Sequence, residues 1–148
     1  MEKQYRVRAV SCDHRATEEE VYQALKRATD PLERAWEKLR QAKRIAIKFN
    51  QDKPPHRQVV YQGNFQQIVS TSVARATLRL LRERTNAELV VVDTPVESPK
   101  PPELGREVCT TVLPLLREFN VPYIDGTVHP VAWVDVPGGG QMFRKYPV

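Results

Sequence analysis

The sequence predicts an α/β fold in which a mostly parallel central sheet lies within a three-layer domain, with a β-hairpin at the C-terminal end. Apolar segments of strand length alternate along the chain with segments of helical periodicity, and this order is typical of parallel sheets. The segment Glu88–Asp93 (ELVVVD) is a continuous apolar run of the kind found in strands buried on both faces. We therefore expect helices to cover both faces of the sheet.

Capping signals indicate where the first three helices begin. Thr17 and Glu20 have the spacing of a capping box, which predicts a helix starting after Thr17. Asp30 stands directly before a proline, and this pair predicts the N-cap and first position of a second helix. Either Ser70 or Thr71 can cap a third, amphipathic helix. Five residues form the predicted apolar side of that helix: Val73, Ala76, Thr77, Leu80 and Leu81.

The remaining elements follow from periodicity and from turn residues. Strands are predicted before the hairpin at 5–10, 44–49, 88–93 and 121–125. Residues 128–136 alternate in polarity, and the glycines at 138–140 turn the chain so that 141–148 forms the second arm of the hairpin. Residues 106–120 have a helical pattern, in which Pro114 predicts either a bend or a new helix start.

Length and composition limit the class of protein. The chain has 148 residues, so we expect one α/β domain over 1–148, either alone or as the N-terminal portion of a larger architecture. The sequence shows no apolar targeting segment and no transmembrane run, so the expected location is cytoplasmic and no membrane partner is expected. Cys12 and Cys109 are expected to be reduced and partly buried. They form no CxxC motif, so no iron–sulfur cluster is expected and no cofactor is identified.

The charge of the chain favours anionic partners. Its formal net charge is +5, and long-range attraction therefore favours anions. Arg75, Arg79 and Arg82 lie on one face of the third predicted helix, as they would in a nucleic-acid-binding protein. Basic residues are nevertheless interspersed with glutamates along the helices, which is more typical of a solvated surface. A nucleic-acid partner is therefore disfavoured.

Polar residues stand where three predicted strands end. Lys48 and Asn50 end the second strand, Asp93 ends the third, and Asp125 ends the fourth. Ligands of open parallel sheets bind beyond the carboxyl ends of the strands, and a helix N-terminus favours anions. The predicted ligand-binding residues are Lys48, Asn50, Ser70, Thr71, Asp93 and Thr94. Asp93 and Asp125 have the chemistry of a metal ligand, a hydroxyl acceptor or a base, but no metal site is assigned.

Each of these residues also has a purely structural interpretation. Lys48 can extend past the edge of the sheet into solvent, and Asn50 can turn the chain by bonding its own backbone. Asp93 can cap a loop, and Asp125 before a glycine is a common turn pair. Ser70 and its neighbour Thr71 can act as helix caps alone.

Three segments resemble an uncharacterised protein family, the domain of unknown function three-six-two. They are 45–50 (IAIKFN), 70–76 (STSVARA) and 90–95 (VVVDTP). The resemblance covers about residues 43–148, which correspond to the front half of a typical member. Many members carry ferredoxin-type cysteine motifs and are described as iron–sulfur proteins, whereas those motifs are absent here. The resemblance implies that four residues line the family's site: Lys48, Asn50, Asp93 and Thr94.

Three functions are compatible with these observations. The first is an α/β domain that binds a small anionic molecule at the carboxyl ends of its strands, alone or as part of a larger enzyme. The second is a structural or oligomeric subunit, in which the strand-like segment 143–148 adds to the sheet of a partner subunit or of a second copy. The third is a basic nucleic-acid-associated domain. The sequence names neither a reaction nor a catalytic residue.

Overall fold

A computed structural model describes residues 7–51, 58–93, 111–126, 132–135 and 145–147. The fold is mixed α/β, as predicted. The helices are α1 (Glu18–Thr29), α2 (Glu33–Gln41), α3 (Thr71–Arg84) and α4 (Leu113–Glu118). The strands are β1 (Arg44–Ile47), β2 (Val60–Tyr61), β3 (Asn64–Phe65), β4 (Glu88–Asp93), β5 (Tyr123–Asp125), β6 (Trp133–Asp135) and β7 (Lys145–Pro147).

The predicted parallel sheet is confirmed and contains three strands in the order β1-β4-β5. Ile47 of β1 lies opposite Val91 of β4, and Asp93 of β4 lies opposite Asp125 of β5. Because the strands are parallel, their C-terminal residues reach the same side of the sheet. We call this side, with Lys48, Asp93 and Asp125, the carboxyl edge.

Two small antiparallel pairs accompany the sheet. β6 pairs with β7, and Val134 lies opposite Tyr146. The glycine turn predicted at 138–140 lies outside the described residues. β2 and β3 form a tight hairpin whose two central residues, Gln62 and Gly63, have φ values of 49° and 80°. Both values are positive, which matches the type I′ turn favoured in two-residue hairpins.

Helix α3 is buried along two stripes, a broader surface than its sequence pattern predicted. One stripe includes Ala74 and Leu78, which are fully buried, and the other includes Ala76 and Leu80. All four belong to one core cluster that also contains sheet and α1 residues, so α3 packs against two partners. Val73, which was predicted to lie on the apolar side, is exposed instead.

The first predicted strand, at 5–10, is wrong for the residues that can be assessed. Residues 7–10 form no strand and are exposed, and Val7 is almost fully so. The alternation of apolar and basic residues is typical of a half-exposed strand, but a strand also needs a neighbouring strand that forms hydrogen bonds with its backbone. Positions 5 and 6 lie outside the described residues.

The prediction that Asp30 caps the second helix is also wrong. Asp30 has helical backbone angles and is the C-cap of α1, while α2 begins at Glu33 without a side-chain cap. Its carboxylate is held by Lys26 at 2.8 Å and by Arg84. The carboxylate is thus paired with two cations, whereas α2 has no side-chain cap hydrogen bond.

The structure also tests the helix predicted at 106–120. Helix α4 begins at Leu113 with Pro114 in its first turn, which confirms a new helix start at this proline. Positions 106–110 of the predicted helix lie outside the described residues.

Cys12 is exposed rather than partly buried and forms no disulfide, whereas Cys109 lies outside the described residues.

Candidate functional site at the carboxyl edge

Lys48 and Asp93 meet at the carboxyl edge. The Nζ atom of Lys48, which directly follows β1, donates a hydrogen bond to Oδ1 of Asp93, the last residue of β4, at 2.7 Å. The Lys48 side chain is 58% exposed, whereas Asp93 is only 5% exposed. The ion pair therefore combines a desolvated carboxylate with an ammonium group that solvent and solutes can reach.

A second buried carboxylate lies beside the first. Asp125 is 2% exposed and is directly opposite Asp93 in the β4–β5 register. Neighbouring strands are about 4.8 Å apart, and residues in register project to the same face. The amide of Gly126 donates to the carbonyl oxygen of Asp93 at 2.8 Å, which fixes the end of β5 against β4. The edge thus carries two buried aspartates and one accessible lysine.

The end of β1 lies next to the start of α3. The amide of Val69 donates to the carbonyl oxygen of Asn50 at 3.0 Å, which brings Asn50 close to the helix cap. Ser70 is the N-cap of α3, and its Oγ accepts a hydrogen bond from the amide of Val73 at 3.3 Å. Thr71 is the first helical residue and is half-buried. Ser70 therefore fulfils the capping role that the sequence offered as its structural interpretation.

Gln51 is the residue at this edge that sequence reasoning missed. Its side chain is 2% exposed and donates through Nε2 to the carbonyl oxygen of Val69 at 2.9 Å. Its Oε1 accepts from the amide of Thr111 at 3.1 Å and from the Thr111 hydroxyl at 2.6 Å. The only signal in the sequence was its position two residues after the strand predicted at 44–49, and glutamines are mostly exposed in proteins.

A cavity of about 320 Å³ opens beside the first turn of α3. Ser70 and Ser72 contribute to its polar side together with His14 and Cys12, and the facing side of α1 is apolar. Its volume falls in the range of small-molecule pockets, which begins at about 300 Å³. The described residues that line it include Ser70 but none of the other predicted ligand-binding residues.

The structure brings some of the predicted residues together and leaves others apart. Lys48 contacts Asp93 directly, and Asn50 is tied through its backbone to the residue before Ser70. Thr94 lies outside the described residues. Among the residues that are described, the His, Cys, Asp and Glu side chains do not form a group of three or more suited to a metal ion.

Two of the three helical arginines that favoured nucleic acid are engaged with carboxylates, and the third, Arg82, donates to the carbonyl oxygens of Phe119 and Asn120. Arg75 pairs with Glu118 and with Glu18, and Arg79 donates to Glu19 at 2.6 Å. The hydrogen bond from Arg75 lowers the pKa of the Glu118 carboxyl. These arginines join α3 to α1 and α4, so phosphates would have to compete with existing partners.

Comparisons with protein-family models, with curated proteins and with solved structures found no significant match to this chain. Within the described parts of the chain, none of the helices has the length and apolar character needed to cross a bilayer. Because the comparisons found no match, the residues at the carboxyl edge are the main basis for a functional interpretation.

Proposed function

We propose that this domain binds a small anionic molecule at the carboxyl edge of its parallel sheet, either alone or as part of a larger enzyme. The observation that carries the proposal is the Lys48–Asp93 contact of 2.7 Å, in which a buried carboxylate holds an accessible ammonium group. The residues proposed to bind the ligand are Lys48, Asn50, Ser70, Thr71, Asp93 and Thr94.

Lys48 supplies the positive charge in this proposal. More than half of its side chain is exposed, so its ammonium group can contact an incoming anion without uncovering the core. The first backbone N–H groups of an α-helix have no partner within the helix, and its dipole favours negative charge there. The start of α3 at Ser70 and Thr71 provides such groups close to Asn50.

The two buried aspartates give the proposed site its selectivity. Carboxylates accept hydrogen bonds from hydroxyl groups and repel anions that approach closely. Lys48 and the start of α3 would bind the anion, while Asp93 and Asp125, which are 5% and 2% exposed, would act through their charge and disfavour anions that approach beyond the ammonium group.

The proposal includes a three-layer arrangement and a C-terminal hairpin. Leu89 and Val91 belong to the core shared with α3, and Val90 projects to the opposite face of the sheet. Val90 is also buried, which supports a covering layer on that second face. The antiparallel β6–β7 pair supports the hairpin. If the resemblance to the domain of unknown function three-six-two reflects a relationship, the proposed site would correspond to the site of that family.

A thermal-shift experiment with a matched pair of variants tests the proposal. Inorganic phosphate, ATP and citrate are each titrated against the wild type, Lys48→Ala and Arg44→Ala. Arg44 is the control because it is a cation at the other end of β1, where it also pairs with a carboxylate. A ligand present at about 100 times its Kd stabilises a protein by about 2.7 kcal/mol, which is readily measured.

We expect at least one of the three anions to raise the Tm of the wild type and of Arg44→Ala, and to have a smaller effect on Lys48→Ala. Equal shifts in all three proteins would remove Lys48 from the site. A wild type that responds to none of the anions would contradict the proposal.

A further inference from the structure

The buried side chain of Gln51 connects three parts of the chain that surround the carboxyl edge. It lies three positions after Lys48 and bonds the carbonyl oxygen of Val69, the residue before the α3 cap. It also bonds the amide and the hydroxyl of Thr111, which precedes α4. These partners are 18 and 60 residues away in sequence, so the contacts are long-range.

The amide group of glutamine is chemically matched to this position. It donates to one backbone carbonyl and accepts from a backbone amide and a hydroxyl at the same time. A carboxylate at position 51 would lack the donor for Val69 and would bring a charge into a buried site. A small apolar side chain would remove the partner of both Val69 and Thr111.

We infer that Gln51 is a positioning residue for the proposed anion site. It holds the segment that carries Lys48 and Asn50 against the first turn of α3, and it holds the start of α4 against both. The inference rests on the proposed function. Because Gln51 is only 2% exposed, it acts through these neighbours and not by touching the ligand.

Calorimetric titration with inorganic phosphate tests this role in the full chain. We expect Gln51→Ala and Gln51→Glu to weaken phosphate binding about three- to tenfold, the loss that follows when one hydrogen bond is displaced. Thr111→Ser keeps both groups that bond Gln51, so its affinity should match that of the wild type. All titrations are performed well below the Tm of every variant.

Trp36→Phe separates positioning from general destabilisation. Trp36 is buried in α2 and donates through Nε1 to the carbonyl oxygen of Thr29 in α1 at 2.8 Å, so its replacement also removes a side-chain hydrogen bond between two elements. Among the described residues, its hydrogen bond is with Thr29 of α1 and its ring contact is with Arg84 of α3. Trp36→Phe should lower the Tm while leaving phosphate affinity unchanged. If it weakens binding as much as Gln51→Ala does, affinity follows stability and the inference is overturned.

Amide hydrogen exchange provides a readout that needs no ligand. Gln51→Ala should speed exchange at the amides of Thr111 and Val69, because the segments they belong to are no longer held together. Faster exchange with unchanged phosphate affinity would make Gln51 structural only. A wild type that does not bind phosphate would contradict the proposed function for phosphate as the anion. Hydrogen exchange alone would then decide whether Gln51 holds the three segments together, and unchanged exchange rates would overturn that role.

Discussion

The two ends of the β1–β4 pair are bridged by similar ion pairs in different surroundings. At the amino end, Arg44 and Glu88 are 2.8 Å apart, and their side chains are 66% and 55% exposed. At the carboxyl end, Lys48 and Asp93 are 2.7 Å apart, but Asp93 is 5% exposed. The chemistry and the distance are nearly the same, so the ends differ mainly in how far the carboxylate has been removed from water.

This difference indicates which end of the strand pair has a role beyond holding the two strands together. Burying a carboxylate costs free energy, and an ion pair often recovers only part of that cost. The exposed Arg44–Glu88 pair shows that an ion pair can bridge these two strands without burial of its carboxylate. The carboxyl end nevertheless buries Asp93 with Asp125 beside it. Polar residues buried at a cost to the fold are expected at functional sites, which agrees with the proposed location of ligand binding.

Acid should produce the largest effect, because it acts on many exposed carboxylates together. Hydrogen bonds lower the pKa of four helical carboxyls: Glu19 (from Gln23, then Arg79), Asp30 (from Lys26, then Arg84), Glu83 (from Tyr22, then Arg79) and Glu118 (from Arg75). Their stabilisation is complete above the unfolded pKa values and is lost as the pH falls through the lowered, folded values. The Tm, measured by circular dichroism, should therefore fall steeply below about pH 4, near the ordinary pKa of these groups.

Salt provides the control for the acid experiment. At about 1 M salt the Debye length is about 3 Å, so exposed pairs are screened far more than buried ones. The dependence of Tm on pH should become shallower in 1 M NaCl. A Tm that stays constant between pH 5 and pH 3 at low salt would show that these helical pairs contribute nothing to folding.

The Lys48–Asp93 pair should give the larger of the two cross-strand coupling energies. In a double-mutant cycle with Lys48→Met and Asp93→Asn, we expect a coupling of about 1 to 2 kcal/mol, measured by chemical unfolding. The value exceeds that of a surface pair because Asp93 is desolvated, and it stays below that of a fully buried pair because solvent screens Lys48. A coupling near zero would mean that burial of Asp93 does not strengthen the pair.

Two helix caps allow a comparison of the carboxyl edge with a purely structural position. Thr17→Ala and Ser70→Ala should each cost about 1 kcal/mol of unfolding free energy, because each removes a side-chain N-cap. Only Ser70→Ala should also weaken binding of an anion that stabilises the wild type. Equal ligand shifts in the two variants would limit Ser70 to capping.

The sequence predicted the parts of this molecule that depend on short-range patterns. The capping box at Thr17, the cap at Ser70 and the buried run of β4 each depend on a few adjacent residues, and all are present. The failure at 7–10 has a different origin, because a strand requires a partner that its own pattern cannot specify. Asp30 fails for a related reason, since Arg84, one of the two cations that hold it, lies 54 residues away.

The candidate site was predictable to the extent that strand direction determines it. Parallel strands bring their ends to one edge, and this rule predicted that Lys48 and Asp93 would be close together. Gln51 could not be predicted, because its burial depends on Thr111, 60 residues away, and glutamine gives no sign of burial in a sequence. The degree to which Asp93 and Asp125 are buried likewise depends on packing from outside their strands.

The Arg44–Glu88 pair should give the smallest effect and so provides the reference for the carboxyl end. A double-mutant cycle with Arg44→Met and Glu88→Gln should give a coupling of about 0.3 kcal/mol, because both side chains are hydrated and lose rotamer freedom on pairing. This coupling should disappear in 1 M NaCl, whereas much of the Lys48–Asp93 coupling should persist. Equal couplings at the two ends, with the same salt dependence, would show that burial of Asp93 does not alter the energetics of pairing. The carboxyl edge would then lose its distinction from an ordinary solvated pair.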